Sequence, residues 1–232
     1  KYGNPDQKAK YLPKILNAEN SWCQGYSEVQ AGSDLATVRT RAELDGEDYI
    51  VTGSKIWTSA TERADHIFML VRTDPKAKPQ SGITFLLAEM DSVGITIKPL
   101  IAFNGKRLWN EVFFEQVKIP KENRLGEENQ GWTVAKNLLG DERLLVSRVA
   151  ENRRILSNIV SAMEGEFSGG FAEQVAELRV RLEALDKTAL RMLSRFDEGQ
   201  EISAEPSMLK LKGSQLVQDM DLVLQDIAGY YG

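Results

Sequence analysis

The chain has 232 residues, 42% of them hydrophobic and 27% charged, enough for one large domain or two small ones whose core needs no staples. Its 29 basic and 34 acidic side chains leave a net charge of −5, which removes most of the case for a nucleic-acid binder. One cysteine (Cys23) excludes a disulfide framework, one histidine (His66) argues against a His/Cys metal centre, and the expectation is no bound metal. No apolar run approaches the roughly 20 residues of a membrane span, and no signal peptide precedes the first polar segment, so a cytoplasmic protein is expected.

In chain order, residues 6–18 read as the end of a helix broken by Pro13. From about 35 to 120 the pattern is short and alternating. Apolar or β-branched residues take every second position over 38–44; Asp45-Gly46 and then Tyr49-Ile50-Val51-Thr52 follow, which predicts a hairpin. Further strands are expected at 66–72, 82–88, 94–97 and 111–117. Strands this short and this closely spaced predict an antiparallel barrel or sandwich rather than βαβ units.

Near residue 130 the period changes to that of helices. Leu145, Val149, Leu156, Ile159, Val160 and Met163 mark one helical stretch from about 130 to 163, and a loop over 164–170 ends it at Gly169-Gly170. Val175, Leu178, Leu182, Leu185 and Ala189 then step by threes and fours, as bundle packing requires. After a polar connection over 197–205, Pro206 is tolerable in the first turn of a last helix carrying Leu209, Leu216, Met220 and Val223. The order is helix, β domain, antiparallel helices.

Two segments carry candidate chemistry. Residues 25–34 (GYSEVQAGSD) form a small-residue loop at the mouth of the β domain; Ser27 and Ser33 offer hydroxyls, and Gly32 permits close backbone approach to a ligand. An ordinary turn capped by Asp34 or Ser33 explains the same residues. Residues 53–60 (GSKIWTSA) set Trp57 among hydroxyls, either a flat wall for a planar cofactor or a core tryptophan at a barrel rim.

Together these segments, SEVQAGSD and DGEDYIVTGSKIWTSA, resemble the TEPxAGSD and DGDxYxxNGxKxWITN motifs in the flavin-binding middle domain of the acyl-CoA dehydrogenase family. Further matches follow in order at 110–114 (NEVFF), 117–126 (VKIPKENRLG), 131–135 (GWTVA) and Glu142-Arg143, while Asp6-Gln7-Lys8 and Tyr11-Leu12-Pro13 are similar to the family's last helix before its β domain. The resemblance covers residues 1 to about 150 without a large gap and continues more weakly to the end. It implies an α+β multidomain fold. Residues 1–20 would end an N-terminal helical domain, 21–125 form an antiparallel β-barrel middle domain that binds flavin, and 126–232 part of a C-terminal helical bundle. The absence of Met at Lys1 and the stop at Gly232 then suggest a chain truncated at both ends.

The resemblance further implies FAD as cofactor, held by Tyr26, Ser27, Gly32, Ser33, Trp57 and Ser59. Ser27 would lie near the pyrimidine edge, Trp57 beside the isoalloxazine and Ser59 near its N5 side, with Ser33 against the pantetheine or acyl part of the substrate. Val29 replaces the usual Pro and Ala60 the usual Asn. The implied reaction is α,β-dehydrogenation of an acyl-CoA, a carboxylate removing the α proton while the β hydride passes to flavin. Glu142, just before the characteristic Arg143, is the candidate base, with Arg143 supporting the site and the substrate. A glutamate in an exposed charged cluster on a helix explains Glu142 equally well.

The implied partners are an acyl-CoA, an electron-transfer flavoprotein, and further subunits in a homo- or hetero-oligomer, a dimer or tetramer. The family's Arg-x-x-Phe-Gly segment has no match, and the C-terminal half is similar to bacterial members acting on unusual acyl-CoAs, some of them heteromeric; a partner subunit is therefore expected to complete the flavin site. The other readings are a non-catalytic partner subunit and a related flavin oxidase or monooxygenase.

Overall fold

The computed structural model describes residues 1–145, 147–163, 170–200 and 204–229, without the side chains of residues 141 and 143–145. The chain forms two compact units, Lys1–Lys136 and Asn137–Gly232.

The first unit opens with α1 (Pro5–Leu16), started by a reciprocal cap: the Asn4 side chain accepts from the Gln7 amide at 2.8 Å, and the Gln7 side chain from the Asn4 amide at 3.1 Å. The Gln7 Nε2 group also donates to the carbonyls of Glu122 and Arg124, both at 2.8 Å, docking α1 on the β structure. The expected break at Pro13 is absent. Pro13 and Ala9 are both exposed, so solvent can take the carbonyl that the missing N–H would have met, and the helix runs on to Leu16.

Seven strands follow: β1 (Trp22–Gly25), β2 (Arg41–Asp45), β3 (Asp48–Thr58), β4 (His66–Arg72), β5 (Ile83–Glu89), β6 (Ile95–Ile101) and β7 (Arg107–Pro120). They make one strongly curled half-barrel sheet in the order β1-β4-β2-β3-β7-β6, with β5 also on β4. Pairings are antiparallel apart from β1 on β4 and the single β2–β4 pairing of Arg41 with Arg72. The expected hairpin is β2–β3, turning at Gly46 with φ +64°. β2 starts three residues later than the alternation suggests, because the amides of Arg39 and Thr40 donate to the Glu28 carboxylate rather than to a strand. Cys23, Tyr49, Val51, Ile67, Leu86 and Phe114 are among the side chains of one buried core.

The helix α2 (Gly131–Leu145) begins in the first unit and ends in the second. Gly131 is required by packing: a Cβ there would sit 2.6 Å from the Thr84 carbonyl carbon. The second unit continues with α3 (Val149–Ala162), α4 (Phe171–Asp197) and α5 (Glu205–Ala228), packed about Leu156, Ile159, Leu182, Leu209 and Met220. The single helix expected over 130–163 is interrupted at Arg148, which adopts φ +54°. Here α5 comes close: a Cβ on Gly213 would meet the Ser147 carbonyl oxygen at 2.3 Å, and buried Asn152 donates to the Arg148 carbonyl at 3.0 Å. Of the loop expected over 164–170, residues 164–169 lie outside the described residues, as do 201–203 of the next connection. Among the described residues, no helix is long and apolar enough to cross a membrane.

Candidate functional site

A cavity of about 350 Å³ in the first unit brings together Tyr26, Ser27, Trp57 and Ser59, four of the six residues singled out for cofactor binding, beside Trp22 and Phe68. Two chain segments build it. After Gly25, whose missing Cβ leaves room for Ile67 and Met69 of β4, the chain leaves the sheet through Tyr26 and Ser27. It then closes a tight turn by reciprocal bonds between the Glu28 and Ala31 backbones, each 3.0 Å. The Ile56 amide donates to the Ser27 carbonyl at 2.9 Å, tying this segment to the end of β3.

Trp57 lies within β3. Its backbone is left-handed at φ +63°, as is that of Ala60 at φ +60°, positions that cost a non-glycine residue about 1–3 kcal/mol each. The pairing of β3 with β7 slips between Lys55 and Thr58, which re-aims the chain there. Asn110 holds the slipped segment, donating to the Thr58 carbonyl at 3.4 Å and to Glu62 Oε1 at 3.1 Å. Trp57 is 57% exposed, its indole touched edge-on by Trp109 with centroids 5.9 Å apart.

The residues present fit a planar heteroaromatic group with a polar edge, as in a flavin. Trp57 supplies an uncovered flat wall, and Ser27 and Ser59 supply hydroxyls. Trp22, stacked on His66 at 4.5 Å, also lines the cavity; its indole Nε1 is buried without a partner among the described residues. Gly32 and Ser33 are exposed on the following loop and are not among the cavity's walls; a Cβ on Gly32 would meet open space. Glu142, in α2, is half-buried, and that burial pushes its carboxyl above the usual value. The side chain of Arg143 lies outside the described residues. Among the described residues, no three His, Cys, Asp or Glu side chains cluster as metal ligands do.

Sequence reasoning missed Glu28 and Lys55. Lys55 Nζ, fully buried, lies 2.7 Å from Glu28 Oε1 and also donates to the Tyr26 carbonyl at 3.3 Å. Burial pulls the Lys55 ammonium down to about 8, against the opposing pull of Glu28. Burial pushes the Glu28 carboxyl up, but Lys55 and the bonds from Thr40 and Arg39 outweigh it and hold Glu28 below its ordinary value. One signal was available: Tyr49, Val51 and Lys55 share strand parity, so the lysine falls on the buried face.

Residues 23–117 match the family model of the acyl-CoA dehydrogenase middle domain, and residues 129–232 that of its C-terminal domain. An acyl-CoA dehydrogenase of Mycolicibacterium smegmatis, IpdE1, is 31% identical over 247 residues, covering 100% of this chain and 62% of the relative. Among solved structures, the ChsE4-ChsE5 complex from Mycobacterium tuberculosis superposes with a TM-score of 0.87 at 30% identity, over 98% of this chain and 61% of that one. A glutaryl-coenzyme A dehydrogenase bound to glutaryl-CoA gives 0.90 at 27% identity, over 100% of this chain and 62% of that one. The chain thus spans less than two thirds of the length of the proteins it matches.

Proposed function

The chain belongs to the acyl-CoA dehydrogenase family, and from that footing we propose that it forms the flavin-binding core of an enzyme that introduces an α,β double bond into an acyl-CoA thioester. Members of this family are FAD-dependent flavoproteins. The observation that carries the reading is the cavity where Tyr26, Ser27, Trp57 and Ser59 converge, with Trp57 held uncovered on a strained backbone. FAD, when bound, supplies the acceptor for the β hydride.

The chain's own residues do the rest. Trp57 would wall the ring system and the Ser27 and Ser59 hydroxyls would meet its polar edges, with Tyr26 beside them in the cavity lining. Gly32 and Ser33, on the exposed loop beyond Glu28 and outside the cavity's walls, would meet the cofactor and the pantetheine or acyl portion of the substrate. The Glu142 carboxylate takes the α proton; its desolvation makes it a stronger base than a hydrated carboxylate. Arg143 assists by its charge. Electrons leave to an electron-transfer flavoprotein, and the subunit works in a dimer or tetramer, a reading supported by a structural neighbour that is itself a two-component complex.

The test is spectroscopic. The protein carrying this chain, purified with FAD, should lose its flavin band near about 450 nm on addition of acyl-CoA, and Glu142→Gln should keep the flavin while slowing that bleaching about 100-fold or more. Equal bleaching in wild type and variant would remove Glu142 as the base. A wild-type protein that binds FAD but is never reduced by acyl-CoA would sink the dehydrogenase reading.

A further inference from the structure

We propose that Glu28 and Lys55 form a positioning pair that holds the two walls of the cavity in register to receive the flavin, an inference that rests on the functional reading above. One carboxylate gathers three stretches of chain. Glu28 Oε1 accepts from Lys55 Nζ at 2.7 Å and from the Thr40 amide at 2.9 Å, while Oε2 accepts from the Arg39 amide at 2.6 Å and from Gln30 Nε2 at 2.7 Å. Lys55 reaches past it to the Tyr26 carbonyl at 3.3 Å, and the next residue, Ile56, donates to the Ser27 carbonyl at 2.9 Å. Residues 26, 27 and 28 are therefore each fastened to 55–56, two residues before Trp57.

The reach of this pair matters because the intervening loop has little regular structure: Arg72 holds its later part, donating to the Ala36 and Val38 carbonyls at 2.6 and 3.1 Å, and Glu28 holds its entry. Between Gly25, the end of β1, and Arg41, the start of β2, regular structure is limited to one short turn at Leu35–Thr37 and the Glu28–Ala31 bridge. Glu28 ties the loop's entry to its exit at Arg39 and Thr40, with Gly32 and Ser33 on the arc between. A well-packed apolar pair could fill the same volume at equal or better stability, because desolvating two charges offsets most of their attraction. It could not hold the Tyr26 carbonyl or the Arg39 and Thr40 amides. The charges therefore have a use beyond stability: a wall set before the ligand arrives spares the ligand the cost of ordering it.

The test uses the full protein carrying this chain, with FAD as the probe. The double variant Glu28→Gln with Lys55→Met leaves no buried charge and keeps one acceptor for the loop amides. The expected result is a melting temperature of the flavin-free protein within about 5 °C of wild type, with an FAD dissociation constant raised roughly tenfold or more. The fine structure of the bound flavin's visible band and its quenching of tryptophan emission should be lost together. A folded double variant with wild-type FAD affinity and spectrum would overturn the proposal. Should the double variant not fold, Glu28→Asp replaces it: the charge stays, but the shorter side chain cannot reach Lys55 and both loop amides at once. The same two outcomes then decide. If wild type itself binds no FAD, the functional reading fails and the positioning role fails with it; if wild type and variants bind FAD alike, the positioning role fails alone.

Discussion

The two units treat polar groups in opposite ways. In the β unit a full ion pair sits inside, with Lys55 wholly buried, and left-handed backbone is imposed on Trp57 and Ala60. In the helical unit the ion pairs stand at the outside. Arg153 with Glu183, and Arg181 with Asp219, keep much of their side-chain surface in water, while the buried cluster is apolar. Asn152, a buried polar side chain of the helical unit, bonds at the Arg148 break and to the Gly213 carbonyl at 3.5 Å but leaves its Oδ1 without a partner among the described residues. The buried charge thus sits beside the cavity, where a ligand can use it, whereas left-handed backbone occurs in both units, at Trp57 and Ala60 in one and at Arg148 in the other.

Substitutions can break this contrast. The largest loss is expected from Glu28→Leu, which leaves the Lys55 ammonium buried without its partner: about 3–5 kcal/mol near neutral pH by urea unfolding. Its pH dependence has a definite sign. The folded-state value of Lys55 is already below that of the unfolded chain and drops further without Glu28. The unfolded chain therefore binds more protons there, and the variant regains stability as pH rises toward 10.5. A flat urea midpoint between pH 7 and 10, where wild type shows no compensating change, would contradict this account.

Gly213→Ala comes next, at about 1–3 kcal/mol, because its methyl must displace a backbone carbonyl rather than a flexible side chain. An unchanged denaturation midpoint would mean that α5 does not press on the α2–α3 break as described.

Trp57→Gly should move stability the other way, by up to about 1 kcal/mol, since glycine relieves the left-handed strain and a half-exposed indole forfeits little burial. It should also abolish FAD binding, separating fold from function in one variant. Arg153→Ala should be the smallest effect, under about 1 kcal/mol and smaller still at high salt, as befits a solvated pair.

Much of the architecture was legible in the sequence because it rests on period. The apolar run at 66–72 became β4 residue for residue, and the threes-and-fours pattern from Val175 to Ala189 became the inner face of α4. β1 escaped notice because four residues, Trp-Cys-Gln-Gly, are too few to show alternation, and their place is fixed by pairing with β4. The break at Arg148 carries neither Pro nor Gly; it is set by a helix more than sixty residues further along. At the site, Tyr26, Ser27, Trp57 and Ser59 could be named from motifs that resemble a family. Glu28 and Lys55 could not be joined, since 27 residues separate them and nothing in their spacing announces a bond.

The buried position of Cys23 gives the protein an internal clock. The thiol is 3% exposed, burial pushes it up to about 12, and no other cysteine exists in the chain. At neutral pH it is overwhelmingly protonated and shielded, so alkylating reagents can reach it only when the sheet between β1 and β4 opens. The rate of labelling therefore times the opening of the β unit alone. Because Cys23 also lines the cavity, a ligand seated there should slow that rate by the same factor by which it stabilises the closed sheet.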